Sequence, residues 1–227
     1  INLEKDYASH LGISDKQFEA LGVKFYDSSS KVINNSKLLL KVDCPSDEEI
    51  RYLKEKTILV GIFNPVKNEN KLKEILKKNI SIFSLELLPR ISRAQSMDVL
   101  SSQSNLAGYR SVIESIYEFE KAVPMMMTAA GTVPAAKVLV IGAGVAGLQA
   151  IATAKRLGAI VSATDVRAAS KEQVESLGGK FLTVEQEENL ETTSGYAKEA
   201  SEEFKKKQTD LLKEAMKTND IVICTAL

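Results

Sequence analysis

A glycine-rich segment in the second half of the chain has the residue types and the spacing needed to bind phosphate. Glycines stand at Gly142, Gly144 and Gly147, with Ala143 and Val145 between them. The first glycine permits a tight turn, the second lets the backbone approach a pyrophosphate, and the third lets a helix pack closely on a strand. The phosphates would then lie on free N–H groups at the positive end of a helix. The segment therefore predicts a dinucleotide site.

An acidic residue follows at the distance that such a site requires. Asp165 lies 23 residues after Gly142, at the end of the next predicted strand. Its carboxylate can accept hydrogen bonds from both adenosine ribose hydroxyls and would repel a 2′-phosphate, so NAD is favoured over NADP. Arg167 leaves NADP open, because a nearby arginine can receive a 2′-phosphate. FAD uses the same geometry and also stays open, as does a glycine-rich turn without a ligand.

Composition excludes several other classes of function. Thirty basic residues balance thirty acidic ones, which gives no general attraction to nucleic acid. Cys44 and Cys224 lie far apart and read as free thiols in a reducing compartment. His10 is the only histidine, so we expect neither a metal site nor a Ser-His-Asp triad. The longest uncharged run, residues 138–154, is short for a membrane span and contains three glycines, so no transmembrane segment is expected.

The elements that must position these residues alternate between strands and helices. In the first half, strands are predicted at residues 38–42, 57–62 and 81–86, with helices at 46–53 and 68–78. Ser46 is the expected N-cap of the first of these helices. Residues 90–98 are polar without a clean period and are predicted as a loop, whereas residues 101–121 follow a helical period.

The second half repeats the alternation around the glycine-rich segment. Strands are predicted at 138–141, 159–164, 180–184 and 220–224, and helices at 145–157, 169–177 and 198–217, with a mobile loop at 185–195. Such alternation predicts an α/β protein with two Rossmann-like lobes and parallel sheets. We place the lobes at residues 1–100 and 124–227, with the long helix of residues 101–123 connecting them.

Four runs of sequence resemble a known family. Residues 90–98, 105–110, 124–132 and 164–167 resemble the NAD(H)-binding domain in the alpha subunit of proton-translocating NAD(P) transhydrogenases. Alanine dehydrogenases are similar in their two-lobed fold. The resemblance implies a domain that holds NAD(H) peripherally at the cytoplasmic or matrix face of the inner membrane. It also implies hydride transfer to NADP⁺ on a partner domain, a membrane domain that moves protons, and a homodimer.

The resemblance also implies roles for individual residues. A loop around the nicotinamide matches Arg90, Gln95, Asp98 and Ser101, with Arg90, Gln95 and Asp98 in catalytic positions and Gln95 reaching toward the partner's nicotinamide. Read from the residues alone, Asp98 could instead be a helix N-cap. The remaining nucleotide contacts that it implies are Val166 beside Asp165 and Arg167, a lid at Gly195 and Tyr196, Gln208, and a strand end at Thr225, Ala226 and Leu227.

Two departures from the family keep other functions open. The family has further strands before the match to Ile1 and further sequence after the match to Leu227, so the fold is expected to be truncated at both ends. An inactive fragment is therefore one alternative. The other is an alanine-type amino-acid dehydrogenase, for which Lys41 matches the family's lysine. That reading is weakened because residues 62–64 hold no histidine where an acid/base residue is expected.

Overall fold

The computed structural model describes residues 1–89, 91–184 and 202–226. The chain divides into two compact units, Ile1–Val99 and Leu100–Leu227. Within the described ranges, no helix combines the length and the apolar character that crossing a membrane requires.

The described residues of the first unit form two parallel sheets and four short α-helices. Its strands are β1 (Asn2–Glu4), β2 (Lys24–Tyr26), β3 (Leu38–Lys41), β4 (Ile58–Gly61) and β5 (Ser81–Ser84). Its helices are α1 (Asp15–Glu19), α2 (Ser29–Asn34), α3 (Asp47–Tyr52) and α4 (Glu69–Leu76). Strands β1 and β2 pair with each other, and β3, β4 and β5 form a separate sheet in that order. The core of this unit includes the fully buried Ile50, Leu59, Phe63 and Ile75.

Local sequence explains why α3 begins where it does. The hydroxyl of Ser46 accepts a hydrogen bond from the Glu49 backbone N–H at 3.2 Å. In return, the Glu49 carboxylate accepts from the Ser46 N–H at 2.8 Å. This reciprocal pair is a capping box, which satisfies N–H groups that a helix start leaves without partners. The N-cap predicted at Ser46 is thereby confirmed.

The described residues of the second unit are built on a four-stranded parallel sheet. A short antiparallel hairpin of β6 (Met126–Thr128) and β7 (Gly131–Val133) precedes it. The strands of the main sheet are β8 (Lys137–Ile141), β9 (Ile160–Thr164), β10 (Lys180–Phe181) and β11 (Ile221–Cys224). The helices are α5 (Val99–Phe119), α6 (Val145–Arg156), α7 (Ser170–Ser176) and α8 (Glu202–Thr218).

The strand order of this sheet reverses direction at β8. The order is β10-β9-β8-β11, so the chain moves outward from β8 to β10 and then returns to the opposite side of β8. Such a reversal separates the connections on the two sides of β8, and ligands of open α/β sheets bind at the carboxyl ends of the strands at this point. Val138, Leu139 and Val140 of β8 are almost completely buried, as expected for a central parallel strand.

The predicted fold class, α/β with Rossmann-like parallel sheets, is confirmed, but several local predictions were wrong. The strand predicted at residues 81–86 ends at Ser84, because Leu85–Leu87 form a 3₁₀ helix. The predicted loop at residues 90–98 contains a 3₁₀ helix, Ser92–Met97, which local backbone bonds stabilise without an amphipathic period. Helix α5 begins at Val99 instead of residue 101. The strand predicted at residues 180–184 is confined to Lys180–Phe181. The loop predicted at residues 185–195 lies outside the described residues.

Candidate functional site

The turn after β8 has a backbone shape that only glycine adopts easily. Gly142 is buried and has a φ of 95°, in the left-handed region. Its N–H donates to the carbonyl of Thr164 at 2.8 Å, which ties the turn to the end of β9. A Cβ at this position would lie 2.7 Å from the backbone nitrogen of Ala226. Both the dihedral angle and the close neighbour therefore require glycine here.

The start of α6 is fitted closely against this turn. A Cβ on Gly147 would overlap the carbonyl oxygen of Gly142 and lie 2.9 Å from the hydroxyl of Thr225. The Thr225 hydroxyl donates to the Gly142 carbonyl at 2.9 Å, and the backbone N–H of Thr225 donates to the Ile141 carbonyl at 2.8 Å. The end of β11 and the first turn of α6 thus hold the glycine-rich turn from two sides.

No side chain among the described residues caps the N-terminus of α6. Gly144 is the N-cap, with extended backbone and no side chain that could cap the helix. The first helical bond runs from the Leu148 N–H to the Gly144 carbonyl at 2.8 Å. No group among the described residues accepts a hydrogen bond from the backbone N–H of Val145, Ala146 or Gly147. Unpaired N–H groups at a positive helix end form a binding site for an anion.

The carboxylate of Asp165 lies against the same turn. Its Oδ2 accepts from the Ala143 N–H at 2.7 Å and from Nη2 of Arg167 at 3.0 Å. Its Oδ1 accepts from the backbone N–H and from Nε of Arg167, both at 2.9 Å. The side chain is only 7% exposed. The acid predicted at the end of β9 is therefore oriented toward the glycine-rich turn, and hydrogen bonds hold it there.

These contacts keep Asp165 ionised. Burial by itself would raise the pKa of this carboxyl, because it disfavours the charged form. Hydrogen bonds from the Arg167 side chain, the Ala143 N–H and the Arg167 N–H outweigh burial, so the pKa of Asp165 lies below its ordinary value. The Asp165 carboxylate is therefore charged at neutral pH and forms an ion pair with Arg167 beside the N-terminus of α6.

The Arg167 guanidinium lies over the glycine-rich turn. Among the described residues, Nη2 of Arg167 is the one atom within reach of a Cβ placed on Gly144, at 4.0 Å. The side chain of Arg167 is 25% exposed. The sequence identified Arg167 as a possible contact for a 2′-phosphate, but it did not reveal this bidentate pairing with Asp165.

One residue that the sequence analysis missed positions α6. A Cβ on Gly108, within α5, would overlap the carbonyl of Ala146 in the first turn of α6. Gly108 is buried, so two helix backbones approach each other closely at this point. The available signal was an isolated glycine inside a helical period, which usually has a packing reason.

The other predicted site residues lie elsewhere in the fold or outside the described residues. Gln95 is an exposed residue of the 3₁₀ helix in the first unit, and Asp98 directly precedes α5. Ser101 is in the first turn of α5, and Gln208 is half-buried on α8. Val166 and Ala226 adjoin the site through their neighbours Asp165 and Thr225. Four predicted residues lie outside the described ranges, namely Arg90, Gly195, Tyr196 and Leu227.

At the carboxyl end of β3, in the first unit, the chain's own side chains form an ion pair beside the start of α3. Lys41, the last residue of β3, forms an ion pair with Glu49 of the capping box. The two side chains are 22% and 19% exposed. Burial would raise the pKa of Glu49, but the hydrogen bonds from Lys41 and from the Ser46 N–H lower it below the ordinary value. Over the described part of the chain, no cluster of side chains could hold a metal ion.

The reversed parallel sheet, the glycine-rich turn, the open helix start and the acid at the neighbouring strand end together define a Rossmann-like α/β protein. Two family models match the chain: the alanine dehydrogenase/PNT N-terminal domain over residues 1–107, and the alanine dehydrogenase/PNT C-terminal domain over residues 111–227. The chain belongs to the alanine dehydrogenase/PNT family.

Individual relatives point to one branch of that family. The first part of the NAD(P) transhydrogenase alpha subunit of Rhodospirillum rubrum is 54% identical over 223 residues, which cover 95% of this chain and 58% of that protein. The protein of the same name from Rickettsia prowazekii is 49% identical and is matched over 100% of this chain and 60% of its own length. The solved transhydrogenase of Sinorhizobium meliloti superposes with a TM-score of 0.84 at 45% identity, again over 100% and 60% of the two chains. The chain thus spans 58–60% of the length of these relatives.

Proposed function

We propose that the chain binds NAD(H) at the glycine-rich turn between β8 and α6. The observation that carries this proposal is the open helix start beside Gly144, where three N–H groups lack acceptors among the described residues. Those groups would hold the pyrophosphate, and Gly142, Gly147 and Thr225 shape the turn beneath it. The residues present therefore fit a dinucleotide.

The ionised Asp165 favours the unphosphorylated nucleotide. A carboxylate with a lowered pKa repels a 2′-phosphate and accepts hydrogen bonds from ribose hydroxyls. NAD(H) is therefore the expected ligand, ahead of NADP(H) and FAD. The names of the relatives, which are alpha subunits of NAD(P) transhydrogenases, support a nicotinamide nucleotide in particular.

We further propose that the bound nucleotide takes part in transhydrogenation with NADP(H) held on a partner domain. When bound, NADH would supply the hydride, which passes directly between two nicotinamide rings. The chain would contribute placement of the rings and exclusion of water, because hydride transfer needs no acid or base at the reacting carbon. Around the nicotinamide we expect Arg90, Gln95, Asp98 and Ser101.

Other residues would complete the binding of the nucleotide. We expect Gly195 and Tyr196 to close over it and Gln208, Ala226 and Leu227 to contact it, while Ala143, Val145, Val166 and Arg167 line the turn. A membrane domain that couples hydride transfer to proton movement and a homodimeric arrangement also belong to this proposal. The name of the relatives describes one part of an alpha subunit, which supports the presence of partner subunits.

The structure offers an argument against the alanine-dehydrogenase alternative. That reaction needs a free cation for the carboxylate of the amino acid. Lys41, the residue that matches the family's lysine, already has its charge compensated by Glu49. Phe63, in the segment where an acid/base histidine would be expected, is completely buried in the core.

Binding measurements test the nucleotide assignment. In calorimetric titrations of the 227-residue chain, we expect NADH to bind and NADPH to bind at least about tenfold more weakly. Asp165→Asn should weaken NADH binding by about tenfold to a hundredfold, since hydrogen bonds to a charged acceptor are lost. Glu175→Gln, which removes an exposed charge from α7, is the matched control and should leave the affinity unchanged. Undetectable NADH binding at millimolar concentration would refute the proposed site.

Hydride transfer is tested with the partner domains present. A reconstituted complex should transfer hydride from NADH to an NADP⁺ analogue, and Gln95→Asn should lower this rate more than it weakens NADH binding. Turnover of L-alanine with NAD⁺ by the chain alone would instead favour the dehydrogenase alternative.

A further inference from the structure

The carboxylate of Asp165 has no acceptor position left for a ribose. A carboxylate offers about four lone-pair positions on its two oxygens. In this structure the donors on them are the N–H groups of Ala143 and Arg167 and the Nε and Nη2 groups of Arg167, at 2.7–3.0 Å. The ribose hydroxyls of a dinucleotide therefore cannot bind Asp165 unless one of these donors leaves.

The donors differ in how easily they can leave. The two backbone N–H groups are fixed by the turn after β8 and by the chain directly after β9. The guanidinium stands at the end of a flexible side chain, and 25% of that side chain is exposed. The guanidinium also lies on the face of the turn on which the nucleotide is proposed to bind, with Nη2 4.0 Å from the Cβ position of Gly144.

We propose that Arg167 occupies the ribose subsite of Asp165 in the free protein, and that an unphosphorylated ribose binds by displacing the guanidinium. This inference rests on the proposed function, since it assigns a specificity-determining residue to the same site. The two backbone bonds stay in place and keep the carboxylate oriented toward the ribose. Arg167 thus lowers the affinity for NADH, because two charge-assisted hydrogen bonds must be exchanged for bonds to neutral hydroxyls.

Arg167 should have the opposite effect on the binding of a nucleotide that carries a 2′-phosphate. The phosphate cannot share a subsite with the Asp165 carboxylate, but its charge is attracted by the guanidinium. Removal of the guanidinium should therefore help NADH and give no comparable help to NADPH. Simple electrostatics predicts otherwise, because the loss of a positive charge near an anionic ligand weakens the binding of both nucleotides.

The test compares Arg167→Met with wild type in the full 227-residue chain. Methionine keeps an unbranched apolar stem and removes every side-chain donor. We expect the dissociation constant of NADH to fall by about fivefold and the ratio of the NADPH constant to the NADH constant to rise by at least about threefold. In the same variant the midpoint of thermal unfolding should fall, because Asp165 loses its counter-ion. A merely structural role of Arg167 would weaken NADH binding as stability falls, so the opposite signs are diagnostic.

Two further variants make the result decisive. Arg156→Met removes the same charge from the exposed far end of α6 and should leave NADH binding unchanged or slightly weaker. Arg167→Lys replaces the guanidinium, which donates two hydrogen bonds, by a single ammonium group and should tighten NADH binding by a smaller factor. This variant provides the measurement if the methionine variant does not fold.

The outcomes separate the inference from the proposed function. Wild-type protein that fails to bind NADH contradicts the proposed function. If wild type binds NADH and Arg167→Met binds it equally or more weakly, the displacement of Arg167 is wrong while the site stands. Equal tightening of NADH and NADPH also overturns the inference, because the guanidinium would then obstruct any nucleotide and select none.

Discussion

Helices α3 and α6 each follow the carboxyl end of a parallel strand, and they begin in opposite ways. Helix α3, after β3, begins with a capping box in which Ser46 and Glu49 satisfy each other's N–H groups. Helix α6, after β8, begins at Gly144 without any side-chain cap. Each start also has an ion pair beside it, Lys41 with Glu49 in one case and Asp165 with Arg167 in the other.

The difference shows that topology alone does not make a binding site. A helix that starts at a strand end always presents a positive pole there. In the first unit the chain's own carboxylate occupies that pole, so no ligand is needed. In the second unit glycine replaces the capping side chain, and the pole stays available to an anion from outside.

The largest expected effect comes from adding a side chain at Gly147, where the first turn of α6 packs against the glycine-rich turn. Gly147→Val would push a side chain into the Gly142 carbonyl and toward the Thr225 hydroxyl. We expect the free energy of unfolding of the second unit to fall by about 3 kcal/mol or more, as for severe overpacking, with loss of NADH binding. Urea unfolding followed by circular dichroism measures the change. Wild-type stability in this variant would mean that α6 does not pack on the turn as described.

Converting the open helix start into a closed one should have the next largest effect. Gly144→Asp adds a capping carboxylate at a position where, among the described residues, a Cβ has only Arg167 Nη2 near it, at 4.0 Å. We expect the unfolding free energy to rise by about 0.5 kcal/mol. At the same time NADH should bind about 100-fold more weakly, because the new charge would occupy the position proposed for the pyrophosphate.

Gly144→Ala is the matched control for that change, since it adds the Cβ but no acceptor. Its loss of NADH affinity measures the steric part alone, and its unfolding free energy should not rise. If Gly144→Asp binds NADH as well as Gly144→Ala does, the pyrophosphate does not lie at this helix start.

The pH dependence of stability should identify the Asp165 ion pair. The folded-state pKa of Asp165 is lowered, so its contribution is complete above the unfolded-state pKa and is lost as the pH falls through the folded value. Asp165→Asn should lose about 2 kcal/mol at neutral pH, since buried donors lose their charged acceptor. The difference from wild type should stay constant down to about pH 5 and shrink below about pH 4. Unfolding curves over this pH range test it, and a difference independent of pH argues against an ionised Asp165.

The smallest effect is expected at the closed edge of the first unit. Glu49→Gln keeps the capping box, because glutamine also serves at the third helical position, but it removes the ion pair with Lys41. We expect a loss of about 1 kcal/mol, between the values for exposed and buried pairs. NADH binding should stay within about twofold of wild type. A tenfold change would show that this edge takes part in the nucleotide site.

Local patterns along the chain were sufficient to predict several elements of the fold and of the site. Alternating apolar runs predicted the parallel α/β class, Ser46 predicted the start of α3, and the glycine spacing with Asp165 predicted a turn with an acid at the next strand end. These predictions succeed because dihedral preference, capping and side-chain period act over a few residues. The 3₁₀ helix Ser92–Met97 was missed because its local bonds leave no such period.

The contacts between groups distant in sequence became known only from the folded chain. Folding brings the Thr225 hydroxyl onto the Gly142 carbonyl across 83 positions of sequence, and Gly108 of α5 against Ala146 of α6. The structure also decided a contact between near neighbours: the Arg167 guanidinium donates to the Asp165 carboxylate two residues before it, although the residue types equally allowed an arginine that contacts a 2′-phosphate. Residue types fix which bonds are possible, whereas the sheet order and the packing of the helices fix which donors reach each acceptor.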